Sequence, residues 1–73
     1  MTEQEKIRLG KTLKDLRVSK DMTLEYVAEQ LGITHKSVQF WEQGKNEIKL
    51  SKLIILAKLY GTSIDEILDQ SNI

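Results

Sequence analysis

Residues 23–44, TLEYVAEQLGITHKSVQFWEQG, constrain the fold more than any other stretch. Leu24, Val27, Ala28 and Leu31 repeat at helical spacing, three to four residues apart. Thr23 stands just ahead of them, where a hydroxyl accepts a backbone N–H that the first turn leaves unpaired. Gly32 follows them, at the position where a left-handed residue ends a helix. The pattern then repeats. Thr34 caps, Val38 and Trp41 face inward three apart, and Gly44 marks the end. The spacing predicts two short helices joined by a tight turn, the second with a polar face that begins at Thr34-His35-Lys36-Ser37.

The rest of the chain reads in the same idiom. A first helix from about Glu3 to Lys20 carries Leu9, Leu13 and Leu16 as an apolar stripe. Gly10, beside that stripe, leaves room for another helix to approach, and Ser19-Lys20-Asp21 ends the helix. Lys45 to Lys49 is a polar loop. A fourth helix holds Leu50, Leu53, Ile54, Leu56 and Ala57 and ends at Tyr60-Gly61. Its start is open, because Ser51 is the best local cap while Leu50 already fits the stripe. Ser63 and Glu66 form a capping-box pattern ahead of a last helix, whose narrow apolar face is Ile64, Ile67 and Leu68. With no proline, four glycines and no alternating β-branched run, the expectation is an all-α, five-helix domain spanning residues 1–73. There are no internal repeats and no linker.

Composition narrows what such a domain can do. Seventy-three residues make one domain with a modest core. Without cysteine there is neither a disulfide framework nor a thiolate zinc site. The chain has a single histidine and no glycine-rich phosphate loop, and His35 with Glu42 supplies only two ligands where a zinc site needs three or four. Neither an enzyme nor a metal or other cofactor is expected. The polar start, MTEQEKIRLGK, is not a signal peptide, and the apolar run Leu53 to Ala57 is too short to span a bilayer, so the expected location is cytoplasmic. Net charge is zero, but it is distributed in blocks. Residues 1–20 carry six positive and three negative charges, and residues 44–62 carry four and one. Residues 21–43 carry one positive against four negative, and residues 63–73 carry three negative and no positive. A balanced total can therefore hide a basic face and an acidic face.

These residues carry a family resemblance. Leu13-x-x-Leu16-Arg17, then Met22-Thr23-x-Glu25-x-Val27-Ala28-x-x-Leu31-Gly32-Ile33-Thr34, then Val38-x-x-Trp41-Glu42-x-Gly44-Lys45 is similar to the lambda-repressor-like (Cro/CI-type, XRE) helix-turn-helix family. The tail, from Leu53 through Ala57-Lys58-Leu59-Tyr60-Gly61 to Ser63-Ile64-Asp65-Glu66-Ile67-Leu68, resembles that family's closing two helices. The likeness covers roughly residues 7–69 and fixes spacing across four helix boundaries. It implies a compact DNA-binding domain, usually dimeric, whose second helix lies across the backbone and whose third enters the major groove of double-stranded DNA. The implied function is a sequence-specific transcriptional regulator, a repressor that binds a pseudo-palindromic operator as a homodimer. The rival is a protein-interaction module of the same fold, an antitoxin or an adaptor with a protein partner. Zero net charge and Leu24 lean toward the rival.

The resemblance also places residues. His35 and Lys36, in the first turn of the third helix, are the expected base contacts, with Gln39 one turn on able to pair with adenine. Phe40 is open between contact with DNA (or a dimer mate) and partial core burial. Ser37, Lys45 and Asn46 are the expected backbone contacts, joined by the caps Thr23 and Thr34 and by N–H groups at helix starts. Lys11 and Lys14 read as solvated face. Ile64, Ile67 and Leu68 are expected to serve both core and dimer interface, with Tyr60 at the rim. Arg17 and Glu42 occupy motif positions that form a structural ion pair in the family. The chain departs from the family twice. Leu24 stands where many members have a phosphate-contacting glutamine, and Ile48 where many have proline, which predicts a less rigid loop.

Overall fold

The computed structural model describes Met1–Ile73, and its regular structure is entirely helical: α1 Glu3–Ser19, α2 Leu24–Leu31, α3 His35–Glu42, α4 Leu50–Leu59 and α5 Ile64–Gln70. Local chemistry sets most of these boundaries. The hydroxyls of Thr23, Thr34 and Ser63 accept the backbone N–H groups of Tyr26, Ser37 and Glu66 at the starts of α2, α3 and α5. At Ser63 only this half of the capping box forms; the complete box is at α1. There Thr2 Oγ1 accepts from the Glu5 N–H at 3.1 Å and Glu5 Oε1 accepts from the Thr2 N–H at 2.8 Å. That backbone hydrogen bond holds the Glu5 carboxyl below the usual carboxylate range. Gly32, at φ 68°, ends α2 in the left-handed conformation.

The helix α4 starts at Leu50 rather than after a Ser51 cap, but Leu50 does not belong to the inward stripe. Lys49 is the N-cap and gives no side-chain hydrogen bond, and Leu50, the first helical residue, is 64% exposed. The inward stripe is instead Leu53, Leu56, Ala57 and then Tyr60, at spacings of three, one and three. With Leu9, Leu13, Val27, Ala28, Leu31, Val38, Ile48 and Ile67 these side chains form one core. Ile48 is among them, so the loop that lacks the family's proline is tied down by a buried side chain.

Two glycines let α1 lie against the α3 region. A Cβ on Gly10 would collide with the Trp41 carbonyl oxygen and would sit 2.6 Å from that of Glu42, so only glycine allows α1 to pass over the end of α3. A Cβ on Gly44, at φ 73°, would lie 2.8 Å from the Ile7 Cα. At the far end, α5 is fastened to α1 by polar groups. Arg8 Nε donates to the Ser71 carbonyl at 2.9 Å. The buried Ser71 hydroxyl lies within donating distance of Thr12 Oγ1, at 2.8 Å, and of the Ile67 carbonyl, at 2.7 Å.

Candidate nucleic-acid interface

The eight residues of α3 grade from core to surface. Val38 is buried, Trp41 packs against the core, and the Glu42 side chain is covered. At 3.6 residues per turn, Lys36, Gln39, Phe40 and Gln43 fall on the opposite side. Lys36 and Gln43 are exposed, while Gln39 and Phe40 are half-buried. Gln43 caps the helix in αR geometry and so continues this row. Gln43, outside the expected contact set, lies four beyond Gln39 and seven beyond Lys36.

The flanks of α3 differ. On one side the exposed His35 and Lys36 share a hollow with Glu25 and Glu29 of α2. On the other, Ser37 and Trp41 line a groove of about 520 Å³ with Asn46, Lys49 and Lys52. Lys49 and Lys52 were absent from the expected set. The visible signal was two lysines three apart at the start of a helix, and Glu47 lines the same groove beside them. Lys52 also has a structural task, since its Nζ donates to the Leu31 carbonyl at the end of α2, 3.4 Å away.

The structure places the remaining candidates as follows. Thr23 Oγ1 accepts from the Tyr26 N–H at 3.0 Å, and Thr34 Oγ1 from the Ser37 N–H at 3.3 Å. Both threonines therefore hold helix starts, Thr23 that of α2 and Thr34 that of α3. Lys45 Nζ lies 5.2 Å from the centre of the Phe40 ring, within cation–π range. Phe40 is thus half-buried and carries a cation over its face.

Arg17 and Glu42 lie together beneath this surface. Arg17 Nε donates to Glu42 Oε2 at 2.7 Å and Nη2 donates to Oε1 at 3.1 Å, with the side chains 12% and 6% exposed. The hydrogen bond to Glu42 raises the Arg17 pKa further above its usual range.

Two expected dimer-interface residues need correction. Tyr60 is 1% and Ile67 0% exposed, so neither offers surface to a partner. The Tyr60 ring completes the inward stripe of α4, and Ile67 is the one residue of α5 that faces straight into the core. Ile64 and Leu68 are half-buried. The exposed apolar side chains near them in sequence are Leu50, Ile54 and Ile55 of α4 and Ile73.

The helix-turn-helix family model matches residues 13–67. The chain is 41% identical over 56 residues to an uncharacterised HTH-type transcriptional regulator, YobD, of Bacillus subtilis, covering 77% of this chain and 50% of that protein. It is 36% identical over 59 residues to the cryptic phage CTXphi transcriptional repressor RstR of Vibrio cholerae, covering 81% and 53%. The chain spans about half the length of these curated relatives. Its fold matches that of the clp gene regulator ClgR from Corynebacterium glutamicum with a TM-score of 0.89 at 24% identity, over 93% of this chain and 72% of that one. The chain is a member of the lambda-repressor-like (Cro/CI-type, XRE) helix-turn-helix family.

Proposed function

We propose that this chain binds double-stranded DNA sequence-specifically through the major groove and regulates transcription as a repressor. It would act in the cytoplasm, as a homodimer on a pseudo-palindromic operator. The observation that carries this reading is the division of α3. Val38, Trp41 and Glu42 are committed to the fold, which leaves the exposed first turn, His35 and Lys36, and the row through Gln39 to Gln43 free for a ligand. Lysine and histidine can donate to guanine O6 and N7, and glutamine can pair with adenine. Ser37, Lys45, Asn46 and Lys49 flank this row and suit phosphate oxygens, with Thr23 and Thr34 fixing the helix starts. No helix is long and apolar enough to cross a membrane. The related RstR is a repressor, and occupying an operator needs no surface beyond the one described.

Selection of bound duplexes from a random pool tests the reading. The expected product is a motif of two inverted half-sites, their centres about 34–36 Å apart. A pool that never departs from random sequence would overturn it. The second reading, a protein-interaction role as an antitoxin or adaptor, is favoured by the exposed Leu50, Ile54 and Ile55. Salt separates the two. DNA affinity falls with a log–log slope of about −0.9 per neutralised phosphate, whereas an apolar protein contact responds little.

A further inference from the structure

We infer that the hollow bounded by Lys14 of α1, Leu24 of α2 and Gln39 and Gln43 of α3 seats one DNA backbone phosphate, with Lys14 as its cation. This assignment rests on the DNA-binding reading above. The hollow measures about 140 Å³ and is completed by Arg17 and Glu42. Gln39 and Gln43 belong to the outward row of α3, so the hollow opens at the edge of the proposed reading surface.

Its electrostatics favour an anion. Glu42 is the only carboxylate in the lining, and both of its oxygens accept hydrogen bonds from Arg17. That pair is neutral as a unit. The remaining charge is the ammonium of Lys14, accompanied by two side-chain amides that can donate. The other basic residues of α1 are occupied. Lys6 pairs with Glu3 at 3.5 Å, Lys11 with Asp15 at 3.2 Å, and Arg8 with the Ser71 carbonyl at 2.9 Å. Lys14 is exposed and makes no hydrogen bond or ion pair.

The placement also makes geometric sense. The groove on the α4 side of α3 presents Lys49 and Lys52 beside Glu47, whose carboxylate pairs with the Met1 amino group at 3.0 Å, and the hollow on the α1 side presents Lys14. A helix lying in the major groove, about 12 Å wide, has a phosphate strand on each rim. Cations on both flanks of α3 match that arrangement. Leu24, half-buried against the core, offers no side-chain donor to the hollow, and Lys14 of α1 is the one cation in the lining that is not already paired.

The test is the salt dependence of binding to a selected duplex, compared for the wild type, Lys14→Gln, Lys14→Arg and Lys11→Gln. Lys14→Gln should flatten the log–log slope by about one and weaken binding roughly fivefold near 0.15 M salt, alike for every sequence. Lys14→Arg should keep the wild-type slope, and so should Lys11→Gln, whose cation is already paired on the same helix. All variants should melt like the wild type, because both lysines are exposed. A Lys14→Gln variant with the wild-type slope overturns this assignment alone. A wild type that binds no duplex overturns the DNA-binding reading on which it rests.

Discussion

Arg17 joins three elements through one guanidinium. Two of its nitrogens grip the Glu42 carboxylate at 2.7 and 3.1 Å, and the third, Nη1, donates to the Met22 carbonyl at 2.8 Å. The end of α1, the approach to α2 and the end of α3 are thereby held in one plane of hydrogen bonds. Both side chains are largely covered, so losing either one strands its partner's charge out of water. Glu42→Ala and Arg17→Ala should each destabilise the fold by about 3–5 kcal/mol in denaturant unfolding. The double variant should lose less than the sum of the two. A Glu42→Ala protein with wild-type stability and no DNA binding would move Glu42 from the scaffold to the contact surface.

Tyr60 sits near that pair with its hydroxyl buried and without a hydrogen-bond partner. Burial pushes the phenol well above its usual range, and the negative charge of Glu42 adds to the shift. Tyr60→Phe removes the unpaired oxygen while keeping the ring, and should leave stability unchanged or raise it by about 1 kcal/mol. The pH dependence follows from the raised folded-state pKa. The Tyr60 contribution is fully present below the unfolded value near 10 and is lost as pH rises through the folded value. Wild type should therefore lose stability above about pH 10 more steeply than Tyr60→Phe. A Tyr60→Phe protein clearly less stable at neutral pH would mean that the hydroxyl has a partner.

How much of this was legible depended on whether the signal is local. Thr23, Gly32, Thr34 and Gly44 each act within a few residues, so the helix-turn-helix could be read from its caps and turns. Arg17 and Glu42 were found only because a known motif links positions 25 apart in sequence. The clasp of Arg8 and Thr12 on Ser71 has no such motif and joins positions about 60 apart, so nothing in the sequence announced it. Tyr60 was misplaced because a tyrosine at a helix end is usually amphipathic, and its full burial depends on how α4 packs. The lysines at 49 and 52 were missed for a related reason. Helical spacing already placed Gln43 on the Lys36–Gln39 row, whereas the importance of the lysines comes from the direction in which α4 points, which spacing alone does not reveal.

The base-reading residues give a sharper test of site assignment. His35→Ala or Lys36→Ala should cost about 1–3 kcal/mol on the best site and relax preference at one or two base pairs. Lys45→Ala should weaken all sequences alike and flatten the salt slope by about one. Phe40→Ala, by removing the ring beneath the Lys45 ammonium, should resemble a weaker version of Lys45→Ala. If Lys36→Ala selects the same motif as the wild type, base reading lies elsewhere on α3, with Gln39 and Gln43 next in line.

Dimerisation should depend on α4 more than on Tyr60 or Ile67. Those two are sealed in the core, whereas Leu50 is 64% and Ile54 and Ile55 are each 40% exposed. A two-fold interface has to be complementary to itself. The two C-terminal helices meet that condition, because α4 carries Lys52 and Lys58 with no acid, while α5 carries Asp65, Glu66 and Asp69 with no base. Three exposed side chains fall short of the roughly 800 Å² per partner of a standard stable interface. The free protein should therefore dimerise weakly and assemble fully on an operator that holds two copies side by side. Ile54→Glu places a charge one helical turn from Leu50 and beside Ile55 in sequence. It should abolish cooperative binding to a duplex with two half-sites and leave affinity for a single half-site within about twofold, since the residue lies outside the proposed contacts. Titration of one-site and two-site duplexes, with mass measurement of the complexes, reads both quantities. Undiminished cooperativity in Ile54→Glu would shift the interface to Ile64 and Leu68 on α5.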